Sequence, residues 1–254
     1  MLIIMTIGAR QNAVLGAVNA RGAISLTDLE KKIGASVVTL RRDLSHLESA
    51  GKLRRTHGGA MALDRTDEPF KTVLSVNSST KRAIAKAAAL QIQDHQTIIL
   101  DVGTTVHYLA AELVDRPLTI ITASLAIFES FEWEATATII LLGGDYMPDY
   151  HCLTGFMAEE SLKNLHADQA FLGCSGVSVS GGIRDTTASQ VPVKRAILRA
   201  SERTTLLVDS SKCPGTGSTT VASISDVDQI ITDAPLAHHL TSMCASASTR
   251  VTLT

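Results

Sequence analysis

The chain has 254 residues, 45% of them hydrophobic and 19% charged, with a net charge of −2 and four cysteines. That length allows one large or two smaller domains around a substantial core, and the composition is that of an ordinary soluble globular protein. It excludes a membrane span, because no uninterrupted apolar run approaches the ~20 residues one needs. The small net charge hides a division: residues 1–60 carry nine basic against four acidic residues, +5, and residues 61–254 carry 14 against 21, or −7. A basic end on an acidic body suits attraction to a phosphate backbone.

Met1-Leu2-Ile3-Ile4-Met5 is too short for a signal peptide and lacks its basic start. Cys152, Cys174, Cys213 and Cys244 show no CxxC pair and no histidines at ligand spacing. Buried thiols in a reducing cytoplasm are the expectation, with no metal and no cofactor.

In chain order, Gln11 to Asn19 places Val14, Leu15 and Val18 at helical spacing, and Arg21-Gly22 ends the run. Ser25-Leu26-Thr27-Asp28 has the capping-box relation and opens a second helix with Leu29 and Ile33 inward. Gly34-Ala35 gives a tight turn. A third helix follows from Ser36, its cap, to Glu48, with Gly51 as its stop. On it Leu40, Leu44 and Leu47 share one side. Val38, Thr39, Arg41, Arg42, Ser45 and His46 spread over the other. Arginine forks, hydroxyls and an apolar methyl are what a DNA major groove asks for; a merely solvated helix face is the other reading of one Arg-Arg pair. Upstream helices and a tight turn favour a helix-turn-helix. Lys52 to Ala60, with Arg54, Arg55 and His57 before Gly58-Gly59, reads as a β-hairpin wing reaching a phosphate backbone.

These blocks carry a family resemblance. Arg10, Ile24-Ser25-Leu26-Thr27-Asp28-Leu29, Thr39-Leu40-Arg41-Arg42-Asp43-Leu44, Leu47-Glu48 with Gly51, and Arg55-Thr56-His57-Gly58-Gly59-Ala60 together resemble the DeoR family of bacterial transcription regulators. The resemblance implies an N-terminal winged helix-turn-helix that binds operator double-stranded DNA. It implies a C-terminal domain that senses a phosphorylated sugar or related metabolite.

The expected division is a DNA-binding domain over 1–62, a linker over 63–78 and an α/β sensor over 79–254. Residues 61–78 lose the periodic pattern. Ser79 is placed to cap a helix from Thr80 to Gln91. Short β-rich runs then stand at 97–102, 118–122, 137–142, 168–174, 204–208 and 229–232, with helical stretches at 106–113, 159–165 and 193–202 between several of them. Apolar strands with helical crossovers imply a mainly parallel sheet covered on both faces.

Ligands of such sheets bind beyond the carboxyl ends of strands. The run from Ile98 to Thr105 is such an end: Gly103 lets the backbone approach an anion, and Thr104 and Thr105 bring amides and hydroxyls to a helix start. A plain helix cap is the equal alternative. Thr122, Gly143 and Gly144 lie at other strand ends, Lys81 and Lys212 are candidates to neutralise a phosphate, and Asp101 suits sugar hydroxyls.

The DeoR resemblance continues here. It runs through Lys81, Asp101-x-Gly103-Thr104-Thr105, Gly143-Gly144, Gly155, Asp168-x-Ala170-Phe171-Leu172-Gly173, Val193-Lys194-Arg195, Asp209-x-Ser211-Lys212 and Ile231-Thr232-Asp233. It implies a sensor similar in fold to ribose-5-phosphate isomerase and acyl-CoA transferases. The chain departs from the pattern at Ala123, where the family commonly has Asn, and at Gln190, where it commonly has Glu.

Pro214 to Thr219 lacks the lysine of a phosphate loop and reads as a surface loop. His238-His239 reads as a solvated pair, and His107 as a pocket or packing residue. A DNA-binding regulator, a homo-oligomer (dimer or tetramer) that represses a carbohydrate operon, is the expected function. A sugar-phosphate isomerase with an accessory DNA-binding head is the alternative, though no acid/base motif stands out for it.

Overall fold

Three short helices and a small sheet gather around the apolar positions of the N-terminal residues. They are α1 (Ile7–Arg21), β1 (Ala23–Ser25), α2 (Leu26–Ile33), α3 (Val37–Ser49), β2 (Arg54–Thr56) and β3 (Gly59–Met61). This computed structural model describes residues 7–21, 23–49, 53–56, 58–61, 70–131 and 136–254. It divides into two units, Met1–Thr66 and Asp67–Thr254.

In the first unit Val14, Val18, Leu29, Leu40, Leu44 and Leu47 form the core, closed by Leu53 and Ala60 of the hairpin. Ser25 caps α2: its hydroxyl oxygen accepts from the Asp28 N–H at 3.1 Å. Gly34, at φ 74°, ends it, its N–H donating to Glu30. That left-handed turn is open to glycine at no steric cost. Ser36 accepts from the Thr39 N–H at 3.3 Å and so caps α3. The stop expected at Gly51 lies outside the described residues. β3 pairs antiparallel with both β1 and β2. At Gly59 the Ile24 carbonyl passes so close that a Cβ would collide with it. Arg10 forks onto the buried Asp43, with Nε to Oδ2 at 2.6 Å and Nη2 to Oδ1 at 3.1 Å, tying α1 to α3.

The second unit begins inside the stretch read as linker. Phe70–Ser75 forms a six-residue helix, α4, too short to show helical periodicity. Next come α5 (Ser78–Ala89), β4 (Thr97–Leu100), α6 (Thr104–Ala111), β5 (Thr119–Thr122), α7 (Leu125–Phe128) and β6 (Thr138–Leu141). The hairpin β7 (Asp145–Met147) and β8 (Cys152–Thr154) precedes α8 (Phe156–Lys163) and β9 (Gln169–Leu172). β10 (Gly176–Val177), β11 (Gly182–Asp185), α9 (Val191–Arg199), β12 (Thr204–Leu207) and β13 (Thr219–Ser223) follow. β14 (Gln229–Thr232), α10 (His238–Ala247) and β15 (Arg250–Leu253) complete the unit. The cap of α5 is Asn77, in a left-handed conformation, and Ser79 lies inside the helix.

Seven strands form one parallel sheet in the order β15-β14-β12-β9-β4-β5-β6. Because side chains alternate across a strand, Ile99, Ile121, Leu172, Leu206 and Ile230 face one core with α8, α9 and α10. Ile98, Leu100, Ile120, Phe171, Leu207 and Ile231 face the other with α5 and α6. Both faces are dry, which is why these strands read as continuous apolar runs. β10, β11 and β13 form a separate antiparallel sheet. The chain winds outward from β4 to β6 on one side and from β9 to β15 on the other, so the strand order reverses between β4 and β9. Such a reversal opens a crevice at the carboxyl ends of the two strands.

Candidate functional site

The outer face of α3 is built by what its inner face buries. With Leu40, Leu44 and Leu47 in the core, helical geometry turns Val38, Arg41, Arg42 and His46 outward, all exposed. Val38, Arg41, Arg42 and Ser45 line a shallow concavity. Thr39 is half-buried and shares a hydrogen bond with Ser36 at 2.9 Å. From the wing, Arg55 donates to the Ser45 hydroxyl at 2.7 Å, and its N–H donates to Glu48 at 2.8 Å. These contacts are exposed and weak, so the guanidinium is held beside the helix without being consumed. Arg54 stands in β2 next to it. His57 lies outside the described residues.

The second cluster sits at the strand reversal. Asp101 directly follows β4 and is 2% exposed. Its Oδ2 accepts from the Gly173 N–H at 2.9 Å and from the Lys194 ammonium. Lys194, also 2% exposed, further donates to the Gly173 carbonyl at 3.1 Å and lies 3.5 Å from Asp185. Burial alone would push this ammonium down, but Asp101 and Asp185 more than offset it and hold it above its ordinary value. The network ties β4, β9, β11 and α9 together. The next residue, Arg195, points elsewhere and donates to the Val221 and Thr220 carbonyls of β13. Lys194 was visible in the sequence only inside the Val193-Lys194-Arg195 block, and Asp185 carried no signal there.

After Asp101 the chain turns at Gly103, φ 138°, into α6, which has no side-chain cap. Thr104 and Thr105 are buried, and among the described residues neither hydroxyl has a hydrogen-bond partner. Two more ammonium groups approach the same end of the sheet. Lys81, 1% exposed, donates to the Val73 carbonyl at 2.6 Å. Lys212 donates to the Cys174 carbonyl at 2.7 Å, beyond the end of β9. Among the described residues neither has a carboxylate in ion-pair contact. Burial, with the Lys212 charge adding to it and Asp209 opposing, pushes Lys81 down to about 8.

The other sequence candidates serve the backbone. Thr122 donates to the Leu100 carbonyl at 2.7 Å and accepts from the Ser124 N–H at 3.1 Å, bridging β4 to the turn after β5. Gly144, φ 152°, passes so close to the Thr154 carbonyl that a Cβ has no room. Gly143 borders the Met157 side chain. Gln190 is buried and its amide reaches the Cys152 sulfur at 3.8 Å, while Ala123 packs in the core. His107 packs edge-on against Phe70 at 5.4 Å. Its Nδ1 is buried without a partner among the described residues. Burial pushes the Cys152 thiol up to about 12 and Cys174 to about 11, so both stay protonated.

Pro214 to Thr219 is bound more firmly than a free surface loop, because Gly215 donates to the Val177 carbonyl at 3.1 Å and packs on Gly176. Among the described residues no cluster of His, Cys, Asp and Glu is placed to hold a metal ion. No described helix is long and apolar enough to cross a membrane.

Comparison with known proteins places both units. Residues 10–66 match the DeoR-like helix-turn-helix domain, and residues 76–234 match the DeoR C terminal sensor domain. The chain belongs to the DeoR family. This DeoR-family chain is 33% identical to an L-fucose operon activator of Haemophilus influenzae, over 92% of this chain and 95% of that one. It is 32% identical to the transcriptional repressor AccR of Agrobacterium fabrum, over 88% of each. A solved ribose 5-phosphate isomerase from Methanocaldococcus jannaschii aligns over 54% of each chain at 17% identity, with a TM-score of 0.40. The protein is therefore a DNA-binding transcription regulator with a sensor domain, and the isomerase alternative is set aside.

Proposed function

We propose that this regulator works in the cytoplasm, represses a carbohydrate-utilisation operon, and is released by a phosphorylated sugar or polyol bound at the β4–β9 reversal. The relatives support the carbohydrate context by name: one is an L-fucose operon activator. Their signs differ, since another is a repressor, so repression here is the usual mode of the family carried over. α3 enters the operator's major groove through Val38, Arg41, Arg42, Ser45 and His46, and the wing reaches the backbone through Arg54, Arg55 and His57.

The effector reading rests on one observation. Among the described residues Lys81 and Lys212, two ammonium groups at one end of the sheet, have only neutral main-chain carbonyls as hydrogen-bond acceptors. A phosphate is a far stronger acceptor for both, and the uncapped amides of α6 add donors beside it. Asp101, Gly103, Thr104 and Thr105 give the hydroxyl-rich part of the ligand its polar partners, with Thr122, Gly143 and Gly144 shaping the neighbouring turns.

The test is thermal shift of the purified protein against phosphorylated sugars and polyols, followed by operator binding with the ligand that shifts it. Folded Thr104→Val and Lys212→Met variants are expected to lose the shift and the operator response while still binding DNA. Variants that keep both place the pocket elsewhere.

A further inference from the structure

Helix α4 is held in part by Lys81, a member of the proposed anion site. At six residues it is too short to persist unaided, and its last carbonyls need partners from outside the helix. Lys81, in the first turn of α5, supplies one at Val73. The Tyr108 hydroxyl, on α6, supplies the next by donating to Leu74 at 3.0 Å. Thr72 and Ser75 are exposed and Val73 and Leu74 are only half-buried. Beside these two bonds Leu74 packs partly on the core, the Phe70 N–H donates to the Asp149 carbonyl at 2.7 Å and its ring meets His107, and the Val73 carbonyl also accepts from the Val76 N–H at 3.2 Å, so Lys81 is its side-chain partner.

Lys81 is the unusual member of this arrangement. A buried ammonium beside a second one, bonded to a neutral carbonyl, has a stronger acceptor available whenever an anion arrives. From these contacts we infer that Lys81 is a positioning residue with two alternative acceptors. It holds the Val73 carbonyl when no effector is bound and the effector's phosphate when one is, so that binding releases the C-terminal end of α4. The inference rests on the reading of Lys81 and Lys212 as an anion site. In sequence, α4 is the first described element after the DNA-binding unit. An effector shifts operator affinity only by contacting two states unequally, and the Lys81–Val73 bond is a contact that one state has and the other lacks.

The test is hydrogen–deuterium exchange of the full chain with inorganic phosphate, against chloride at equal ionic strength. Phosphate is expected to slow exchange across residues 104–107 and to speed it several-fold across 70–76. In Lys81→Met the 70–76 segment should exchange fast with or without phosphate, and Lys81→Arg, which keeps the charge, should restore part of the phosphate response. Tyr108→Phe should speed exchange at 70–76 in chloride while leaving the slowing at 104–107 intact. Slowing at 104–107 with no gain at 70–76 overturns the inference and leaves the anion site standing. No change at either segment overturns both. If Lys81→Met fails to fold, the parent protein and Tyr108→Phe decide the matter.

Discussion

Two buried lysines differ in what they face, and their chemistry follows. Lys194 faces two carboxylates and stays charged, so it acts as a strut. Replacing it by Met leaves Asp101 and Asp185 buried without their cation, a change expected to cost about 3–5 kcal/mol. Denaturant unfolding of the variant measures this, and a loss below ~1 kcal/mol would show the network to be dispensable.

Lys81 bonds to the Val73 carbonyl, and burial with the Lys212 charge outweighs nearby Asp209, so its value near 8 lies below the ordinary 10.5. Two consequences follow with opposite signs. Between about 8 and 10.5 the unfolded chain binds the extra proton, so this group's share of stability rises with pH across that window. Anion affinity moves the other way. A sugar phosphate keeps its second charge above ~6, so affinity for it should fall as pH rises through about 8, when Lys81 loses its proton. Titration calorimetry at pH 7 and pH 9 checks this; equal affinities would remove Lys81 from the site. Of the residues proposed for the site, Asp101, Gly103, Thr104 and Thr105 could be grouped from sequence because strand, turn and helix start are contiguous. Lys194 was not, because a helical residue 93 positions from Asp101 does not reveal which strand end it reaches.

Among the elements, α3 separates stability from recognition most cleanly, since its two faces carry different work. Leu44→Ala opens a void in the core of the DNA-binding unit, where Leu44 is 1% exposed. It is expected to destabilise that unit by about 2–5 kcal/mol. Arg41→Ala or Arg42→Ala should leave unfolding unchanged and weaken operator binding by about 1–3 kcal/mol where the side chain reads a base. A variant pair that shifts both measurements together would mean the faces are misassigned.

The same element was the easiest to read from sequence, with a cap, thirteen residues of periodicity and a turn before it. The five central strands β4, β5, β9, β12 and β14 were legible because burial on both faces makes them largely apolar, and the edge strand β6 because its Ile139-Ile140-Leu141 run is apolar as well. The pieces that escaped are short or mixed. β7, β8 and β10 run two or three residues, below the length at which alternation shows, and β11 and β13 set their few apolar residues among Gly, Arg, Asp, Thr and Ser. β15, Arg250–Leu253, sits at the sheet edge with polar residues between apolar ones. α4 is invisible for a related reason: its order comes from Lys81 and Tyr108, which are neither adjacent in sequence nor periodic with it.

At the scale of the molecule, recognition depends on how many heads act together. One winged helix presents a single helix to one major groove and so reads a short half-site. A genome offers ~10⁶–10⁹ competing non-specific sites, and the +5 charge of residues 1–60 attracts all of them through their phosphates alike. A single head therefore gains affinity without enough discrimination. Two heads in one oligomer would add their base contacts while the acidic bodies, −7 over residues 61–254, oppose sequence-independent adhesion.

The expected species is accordingly a homo-oligomer on an operator with two half-sites spaced by a whole number of helical turns. Light scattering should report a dimer or tetramer, and cutting the operator to one half-site should remove most of the affinity at fixed salt. Inserting five base pairs between the half-sites turns them to opposite faces of the duplex, so it should weaken binding as severely as deleting one. A monomer that binds the half-site as tightly as the full operator would overturn this reading and would require a single head to supply all the specificity.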